Sequence, residues 1–198
     1  MPFRNTFNLS SFSIISQSGG VGGALLNTLT GEHLGFNKFA SVGNKLDTDE
    51  NDLLEYFLED KGTETIFLYL EGIADGRRLM EIASRSKKPI LVHKSNTSEA
   101  STRIASSHTG SLSASEEVVN AAFRQCGIQR VTDMGSTMLA LKAHSLPPMR
   151  GNRLAVVSRS GGHAVVAADS ATKHDFVLQP FPEAFLRMVA NRLCARVV

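Results

Sequence analysis

The stretch SIISQSGG, residues 13–20, joins a short strand-favouring run to a glycine-rich turn. Residues 24–26, Ala-Leu-Leu, continue with the pattern of a helix that starts after this turn. A buried strand, a tight turn and a helix in this order make up the repeating unit of open α/β sheets. The stretch therefore predicts an α/β fold.

Outward from this stretch, strand and helix patterns keep alternating, which predicts a doubly wound parallel sheet with helices on both faces. We predict strands at residues 13–16, 36–42, 65–70 and 89–94, and helices that begin near residues 47–50, at 75, at 116 and at 134. Lys45, with Asp47, Asp49 and Asp52, is interpreted as part of a helix-capping and solvated cluster. Residues 95–115 are polar and rich in Ser and Thr, as in a long functional or disordered loop.

A second start of the same kind follows a predicted domain boundary at residues 147–151. The stretch AVVSRSGG, residues 155–162, repeats the plan of residues 13–20, but only a strand near 176–178 and a helix near 182–193 come after it. We therefore predict one domain at residues 9–146 and an incomplete second domain of the same kind at residues 151–198.

Composition and charge exclude several classes of protein. The chain has 198 residues, 42% of them hydrophobic, and its 21 basic and 19 acidic side chains leave a net charge of +2, so no nucleic-acid partner is indicated. The two cysteines show no disulfide or metal-site spacing, and we predict no metal. No secretory signal or membrane span is recognisable, and we expect a cytoplasmic protein.

Two Ser-Gly-Gly turns are candidate phosphate sites. Each lies between a predicted strand and a predicted helix, where free backbone N–H groups and the positive end of the helix dipole attract an anion. The alternative is that both are ordinary tight turns, since neither matches a P-loop or a dinucleotide fingerprint. The first turn consists of Ser18, Gly19 and Gly20, and the second turn of Ser160, Gly161 and Gly162.

A histidine in the polar stretch is the candidate nucleophile. His108 lies among small hydroxylic residues, and neutral imidazole is both abundant and nucleophilic near pH 7. Glu71 follows the predicted strand 65–70, at the edge where ligand crevices form, and its carboxylate could orient the imidazole. A solvated surface histidine and a strand-end carboxylate facing water are the alternatives.

Taken together, these residues resemble the acyl-CoA synthetases of the nucleoside-diphosphate-forming type, including the ADP-forming acetyl-CoA synthetases and, more distantly, the succinyl-CoA synthetases. The resemblance covers nearly the whole chain. The motifs that carry it include SQSGG at 16–20, SVGNK at 41–45, YLEGI at 69–73, SHTGSL at 107–112, AAFRQ at 121–125 and GNRLA at 151–155.

The resemblance implies a flavodoxin-like succinyl-CoA synthetase domain. It also implies a reaction that interconverts acyl-CoA, phosphate and ADP with acid, CoA and ATP through a phosphohistidine at His108, supported by Glu71 and by phosphate binding at both turns. CoA, phosphate, ATP and ADP are then substrates, and no cofactor is permanently bound. The expected partners are CoA-binding and ATP-grasp domains or subunits in a homo- or hetero-oligomer, without which we expect no complete reaction.

Two other functions stay open from the sequence. Related domains serve as non-catalytic, ligand-sensing modules of protein acetyltransferases, although the inactive versions replace the histidine that is present here as His108. A serine hydrolase would use Ser18 on a sharp turn between strand and helix, but Ser16 stands where the usual Gly-x-Ser-x-Gly elbow has glycine.

Overall fold

A five-stranded parallel sheet forms the centre of the fold, which confirms the predicted α/β class. The computed structural model describes residues 11–106, 115–147 and 149–193, and the chain divides into two units, Met1–Pro147 and Pro148–Val198. The strands of the first unit are β1 (Phe12–Ser16), β2 (Lys38–Ser41), β3 (Thr65–Leu70), β4 (Ile90–Lys94) and β5 (Gln129–Val131). Their order is β2-β1-β3-β4-β5, the flavodoxin-like order.

Helices connect the strands and cover both faces of the sheet. Those of the first unit are α1 (Gly19–Gly31), α2 (Glu50–Glu59), α3 (Gly76–Ser84), α4 (Glu99–Ser106), α5 (Glu116–Cys126) and α6 (Met134–His144). The helices of the second unit are α7 (Gly161–Lys173) and α8 (Glu183–Leu193).

Side-chain alternation along the central strands divides the core between the two faces. In β3, Leu68 and Leu70 face one cluster, which includes residues of α2, α3 and α5, whereas Phe67 and Tyr69 face a second cluster with residues of α1 and α6. Every residue of β1 and β3 is buried, as expected for parallel strands covered on both sides.

Polar caps fix the starts of several helices. Asp49 forms a capping box with Asp52 at the start of α2, Asp75 caps α3, and Asp133 caps α6. Gly127 ends α5 in the left-handed conformation, with φ of 78°. Gly127 thus explains where α5 ends, and Asp133 explains why α6 begins at residue 134, as predicted.

Two elements of the first unit differ from the prediction. The polar stretch at residues 95–115 contains α4, which begins with reciprocal hydrogen bonds between Ser98 and Ser101: each backbone N–H donates to the other's hydroxyl, at 3.0 and 3.1 Å. The serines that suggested a loop are therefore the cap of a helix. Strand β5 was not predicted because it has only three residues, Gln-Arg-Val, at an edge of the sheet.

The second unit forms less strand than the sequence suggests. Residues 155–157 have no strand assignment, and near residues 176–178 only one isolated bridge forms, between Arg153 and Val177. A strand needs a hydrogen-bonded neighbour along its length, and the described part of this unit offers only two short extended segments. Helix α7 follows the second turn as predicted.

Candidate functional site

The carboxyl ends of β1 and β3 form the first candidate site. Helix α1 follows β1 and packs with Leu25 and Leu29 on one face of the sheet, whereas α3 follows β3 and packs with Leu79 and Ile82 on the other. Neighbouring parallel strands whose helices leave to opposite faces open a crevice between them. Because Ser16 pairs with Tyr69, the residues that follow both strands lie at this edge.

The first turn has the properties of an anion site. Ser18 is the N-cap of α1, and its hydroxyl accepts a hydrogen bond from the N–H of Val21 at 3.3 Å. Ser16 donates to the Ser18 carbonyl at 2.7 Å and so holds the turn against β1. Among the described residues, the N–H groups of Gly19 and Gly20 have no acceptor. They therefore remain available to an anion at the positive end of the helix dipole.

The backbone of Ser18 does not suit a catalytic serine. Its φ and ψ of −104° and 121° are ordinary extended values, and its hydroxyl is used as a helix cap. A nucleophile elbow instead requires a strained turn that presents the hydroxyl. The serine-hydrolase interpretation therefore loses its structural basis.

Gly22, which was not singled out in the sequence, is the glycine that this site requires most. A Cβ atom at residue 22 would lie 2.6 Å from Cζ of Phe39 and 3.2 Å from Cβ of Ser16, whereas the same atom at Gly19 would meet nothing within 4 Å. Gly22 therefore lets α1 approach the sheet closely. The signal was its place in the glycine run at residues 19–23.

Glu71 directly follows β3, at the position predicted for it, and its backbone is held from the neighbouring strand. The side-chain oxygen of Gln17, which follows β1, accepts hydrogen bonds from the N–H of Glu71 at 2.8 Å and of Gly72 at 3.1 Å. No hydrogen bond or ion pair involves the Glu71 carboxylate among the described residues. The structure thus brings Glu71 and the first turn to the same sheet edge, joined through Gln17.

A buried ion pair holds the next residues of the same loop. Lys45 donates to the carbonyl of Gly72 at 2.7 Å and pairs with Glu50 at 2.8 Å. The other oxygen of Glu50 accepts from the N–H of Ala74 at 2.7 Å. The side chain of Lys45 is only 8% exposed and that of Glu50 is fully buried, so the solvated interpretation of Lys45 is wrong. The sequence could not show which loop would close over it.

Lys94, at the end of β4, is the fourth side chain that binds the backbone of the loop at residues 71–74. Its ammonium group donates to the carbonyls of Glu71, at 2.8 Å, and of Ser95. Lys94 is 6% exposed, and no carboxylate in the described residues forms an ion pair with it. Burial lowers the pKa of this lysine from its ordinary value. The signal in the sequence is the position of this lysine at the end of a largely apolar strand.

An open cleft of about 550 Å³ lies beside Lys94, at the carboxyl ends of β4 and β5. Arg130 lines it and is held by Glu116 at 2.7 Å and by Asn120 at 2.6 Å. Asn96, also in the lining, is 7% exposed, and its side-chain amide has no hydrogen-bond partner among the described residues. The cleft therefore offers free polar space beside Lys94.

The second turn repeats the geometry of the first one. Ser160 is the N-cap of α7, and Ser158 donates to the Ser160 carbonyl at 2.9 Å, as Ser16 does to Ser18. Ser160 differs from Ser18 because its hydroxyl makes no capping hydrogen bond. Among the described residues of this unit, the N–H groups of Gly161 and Gly162 have no acceptor, and the Ser160 hydroxyl beside them makes no hydrogen bond.

The other predicted site residue, His108, lies outside the described residues, and its position stays a prediction. Within the described ranges, no group of three or more His, Cys, Asp or Glu side chains could hold a metal ion. The helices of the described part of the chain are also too short or too polar to cross a bilayer.

Comparisons with known proteins agree on one family. Residues 10–144 match the model of the succinyl-CoA ligase like flavodoxin domain. The chain is 41% identical over 184 residues to the alpha subunit of acetate–CoA ligase [ADP-forming] I of Pyrococcus furiosus, covering 91% of this chain and 40% of that one. It is 38% identical to acetate–CoA ligase [ADP-forming] of Methanocaldococcus jannaschii, of which it covers 26%.

Solved structures agree with the sequence relatives. The chain resembles an acetyl-coenzyme A synthetase of Candidatus Korarchaeum cryptofilum, described as dinucleotide forming and in complex with phosphate and ADP, with a TM-score of 0.73 and 37% identity. The match covers 92% of this chain and 40% of that structure. The chain therefore spans less than half the length of the relatives that it matches.

Proposed function

The chain belongs to the family of succinyl-CoA ligase like flavodoxin domains, and from this premise we propose that it supplies the phosphohistidine-bearing part of an ADP-forming acid–CoA ligase. The proposed reaction interconverts acyl-CoA, phosphate and ADP with a carboxylic acid, CoA and ATP. The proposed phosphohistidine is His108, and Glu71 is its supporting carboxylate. The names of the similar ligases favour an adenine nucleotide.

The central step transfers a phosphoryl group to an imidazole. A phosphate oxygen first attacks the thioester carbonyl of acyl-CoA, the C–S bond breaks, and CoA leaves, which gives an acyl phosphate. A neutral ring nitrogen of His108 then attacks the phosphorus, an N–P bond forms, and the P–O bond to the acyl group breaks as the carboxylate leaves with the electron pair. The second ring nitrogen of His108 donates its N–H to the Glu71 carboxylate, which keeps the proton on that nitrogen and orients the ring. A terminal phosphate oxygen of ADP then attacks the same phosphorus, and ATP forms as the N–P bond breaks and its electron pair returns to the ring nitrogen.

The observation that carries the proposal is the meeting of Glu71 and the first turn at the β1/β3 crevice. Phosphoryl transfer depends mainly on positioning and on stabilisation of negative charge. The free N–H groups of Gly19 and Gly20 supply such stabilisation for phosphate, and Glu71 lies on a fixed loop at the same edge.

The second unit is proposed to be the start of a second domain of the same kind, with the second turn as a further phosphate site. Its turn repeats the hydrogen bond of the first turn, and the match to the alpha subunit extends over 184 residues, beyond the family model. We propose that CoA-binding and ATP-grasp domains or subunits complete the enzyme, because the relatives are more than twice as long.

The test is direct phosphorylation of the full chain. We expect the chain to acquire an acid-labile, base-stable phosphoryl group from labelled acetyl phosphate, and from γ-labelled ATP when an ATP-grasp partner subunit is added. The His108→Asn variant should acquire none. A matched control is His174→Asn, an exposed histidine at the end of α7, which should be labelled like the wild type.

Equal labelling of the His108→Asn variant would refute the assignment. A chain that binds nucleotide or acyl-CoA but is never labelled, even with its partner present, would instead indicate the ligand-sensing role known for related domains. An activated-serine probe should not react with Ser18, whose hydroxyl caps α1.

A further inference from the structure

We infer that four side chains act together as positioning residues, which fix the backbone of Glu71 so that its carboxylate is presented at the crevice. They are Gln17, Lys45, Glu50 and Lys94. We name these four side chains the loop clamp. The inference rests on the proposed role of Glu71, and it assigns a function to four buried polar side chains that the proposed chemistry does not itself use.

The loop clamp acts on consecutive peptide groups. Gln17 accepts from the N–H groups of Glu71 and Gly72, and Lys94 donates to the Glu71 carbonyl. Lys45 and Glu50 bind the next groups, the Gly72 carbonyl and the Ala74 N–H. The four side chains come from the end of β1, the loop after β2, the start of α2 and the end of β4. The peptide groups on both sides of the Glu71 Cα atom are thus held.

This arrangement is costly for a loop that only connects a strand to a helix. Burying a charged group is unfavourable unless it is paired, and even buried ion pairs often contribute little net stability. Lys94 is buried with carbonyl partners alone among the described residues, and Gln17 is 7% exposed. Loops normally expose their backbone groups to water at no such cost.

The loop clamp therefore fixes the backbone of Glu71 and leaves its carboxylate free to bind. The backbone of Glu71 is held on both sides, yet none of the described side chains binds its carboxylate. Such a carboxylate can meet an imidazole without a further loss of backbone entropy, and fixed placement of this kind is how positioned groups accelerate transfer steps. A loop whose only purpose was stability would not need this combination.

The first measurement is independent of activity. Amide hydrogen exchange of the full chain should show strong protection of the Glu71, Gly72 and Ala74 amides. Gln17→Leu, which removes the acceptor, should lose the protection of Glu71 and Gly72, and Gln17→Glu, which keeps an acceptor oxygen, should retain it. Free exchange of these amides in the wild type would overturn the inference, whatever the fate of the proposed function.

The second measurement separates positioning from a purely structural role. In the acetyl phosphate assay, Gln17→Leu should slow labelling at least about tenfold in the wild-type background but less than about twofold in the Glu71→Gln background, because residues that act through one another are not additive. Gln17→Glu should recover most of the rate. Equal losses in both backgrounds would overturn the inference while leaving the proposed function standing.

The chain offers a matched control for the lysine of the loop clamp. Lys88 also donates to two backbone carbonyls, of Phe57 at 2.9 Å and of Asp60 at 2.7 Å. It precedes β4, however, and so lies at the amino ends of the strands, opposite the crevice. Lys94→Met should slow labelling at least about tenfold and Lys88→Met less than about twofold. Equal losses would overturn the inference, and an unlabelled wild-type chain would overturn it together with the proposed function.

Discussion

Replacing Gly22 by alanine should destabilise the first unit, whereas the same change at Gly23 should stabilise it. Both glycines lie in α1, but a Cβ atom at residue 22 would lie 2.6 Å from the Phe39 ring and 3.2 Å from Cβ of Ser16. A Cβ atom at residue 23 would meet nothing within 4 Å. The two variants therefore differ in packing while sharing the same change in helix propensity.

The magnitude follows from this pairing. Alanine gains roughly 0.8–1 kcal/mol over glycine inside a helix, and forcing an extra carbon into a packed site costs about 1–3 kcal/mol. The propensity gain cancels in the comparison, so the free energies of unfolding of the two variants should differ by about 1–3 kcal/mol. Rotation of the half-buried Phe39 ring would bring the difference towards the lower end, but Ser16 belongs to a buried strand.

Urea unfolding followed by tyrosine fluorescence is the suitable assay. The chain has no tryptophan, and its two tyrosines, Tyr56 and Tyr69, both lie in the first unit, so the signal reports on that unit alone. With a slope of about 1–3 kcal/mol per molar urea, the midpoints should be separated by roughly 1 M. Equal midpoints, or a more stable Gly22→Ala variant, would show that α1 does not pack as closely as described.

Three further predictions concern buried and capping groups. Lys45→Met should lower the free energy of unfolding by about 3–5 kcal/mol, because it leaves a buried carboxylate unpaired, and the same tyrosine assay measures this. The hydrogen bond from Lys38, followed by that from Thr63, holds the pKa of Asp60 well below its usual value, so Asp60→Asn should be less stable than the wild type at neutral pH. This difference should shrink as the pH falls below about 4, towards the folded-state pKa of Asp60, and unfolding curves across that range test it. Ser18→Ala should cost about 0.5–2 kcal/mol and speed amide exchange at the start of α1, whereas Ser160→Ala should leave exchange at the start of α7 nearly unchanged, because only Ser18 makes a capping hydrogen bond.

The parts of the fold that could be predicted are those encoded by neighbouring residues. Helix α5 begins at the predicted residue 116 and its end is encoded by Gly127, and α2 begins within the run of caps at residues 47–50. The strand-to-helix turn at residues 18–20 is encoded in the same way, by a serine cap and glycines. Local signals of this kind can be recognised in the sequence because they depend on contacts between residues only a few positions apart.

What could not be predicted depends on contacts between distant segments. Lys45 and Gly72 are 27 residues apart, and nothing near Lys45 in the sequence indicates that its side chain is buried. Gln17 and Glu71 are 54 residues apart and meet only because β1 and β3 are neighbours in the sheet. The candidate carboxylate could be predicted from its place at a strand end, but the side chains that hold it could not.

The irregular course of residues 71–74 explains why charged side chains are buried at this edge. Peptide groups that leave β3 have no further strand partner, and each one that is buried without a hydrogen bond costs about 1–3 kcal/mol. An apolar pair in place of Lys45 and Glu50 would avoid the desolvation of two charges, but it would leave the Gly72 carbonyl and the Ala74 N–H unsatisfied. The buried charges are therefore required by the shape of the loop, and that shape is what presents Glu71 at the crevice.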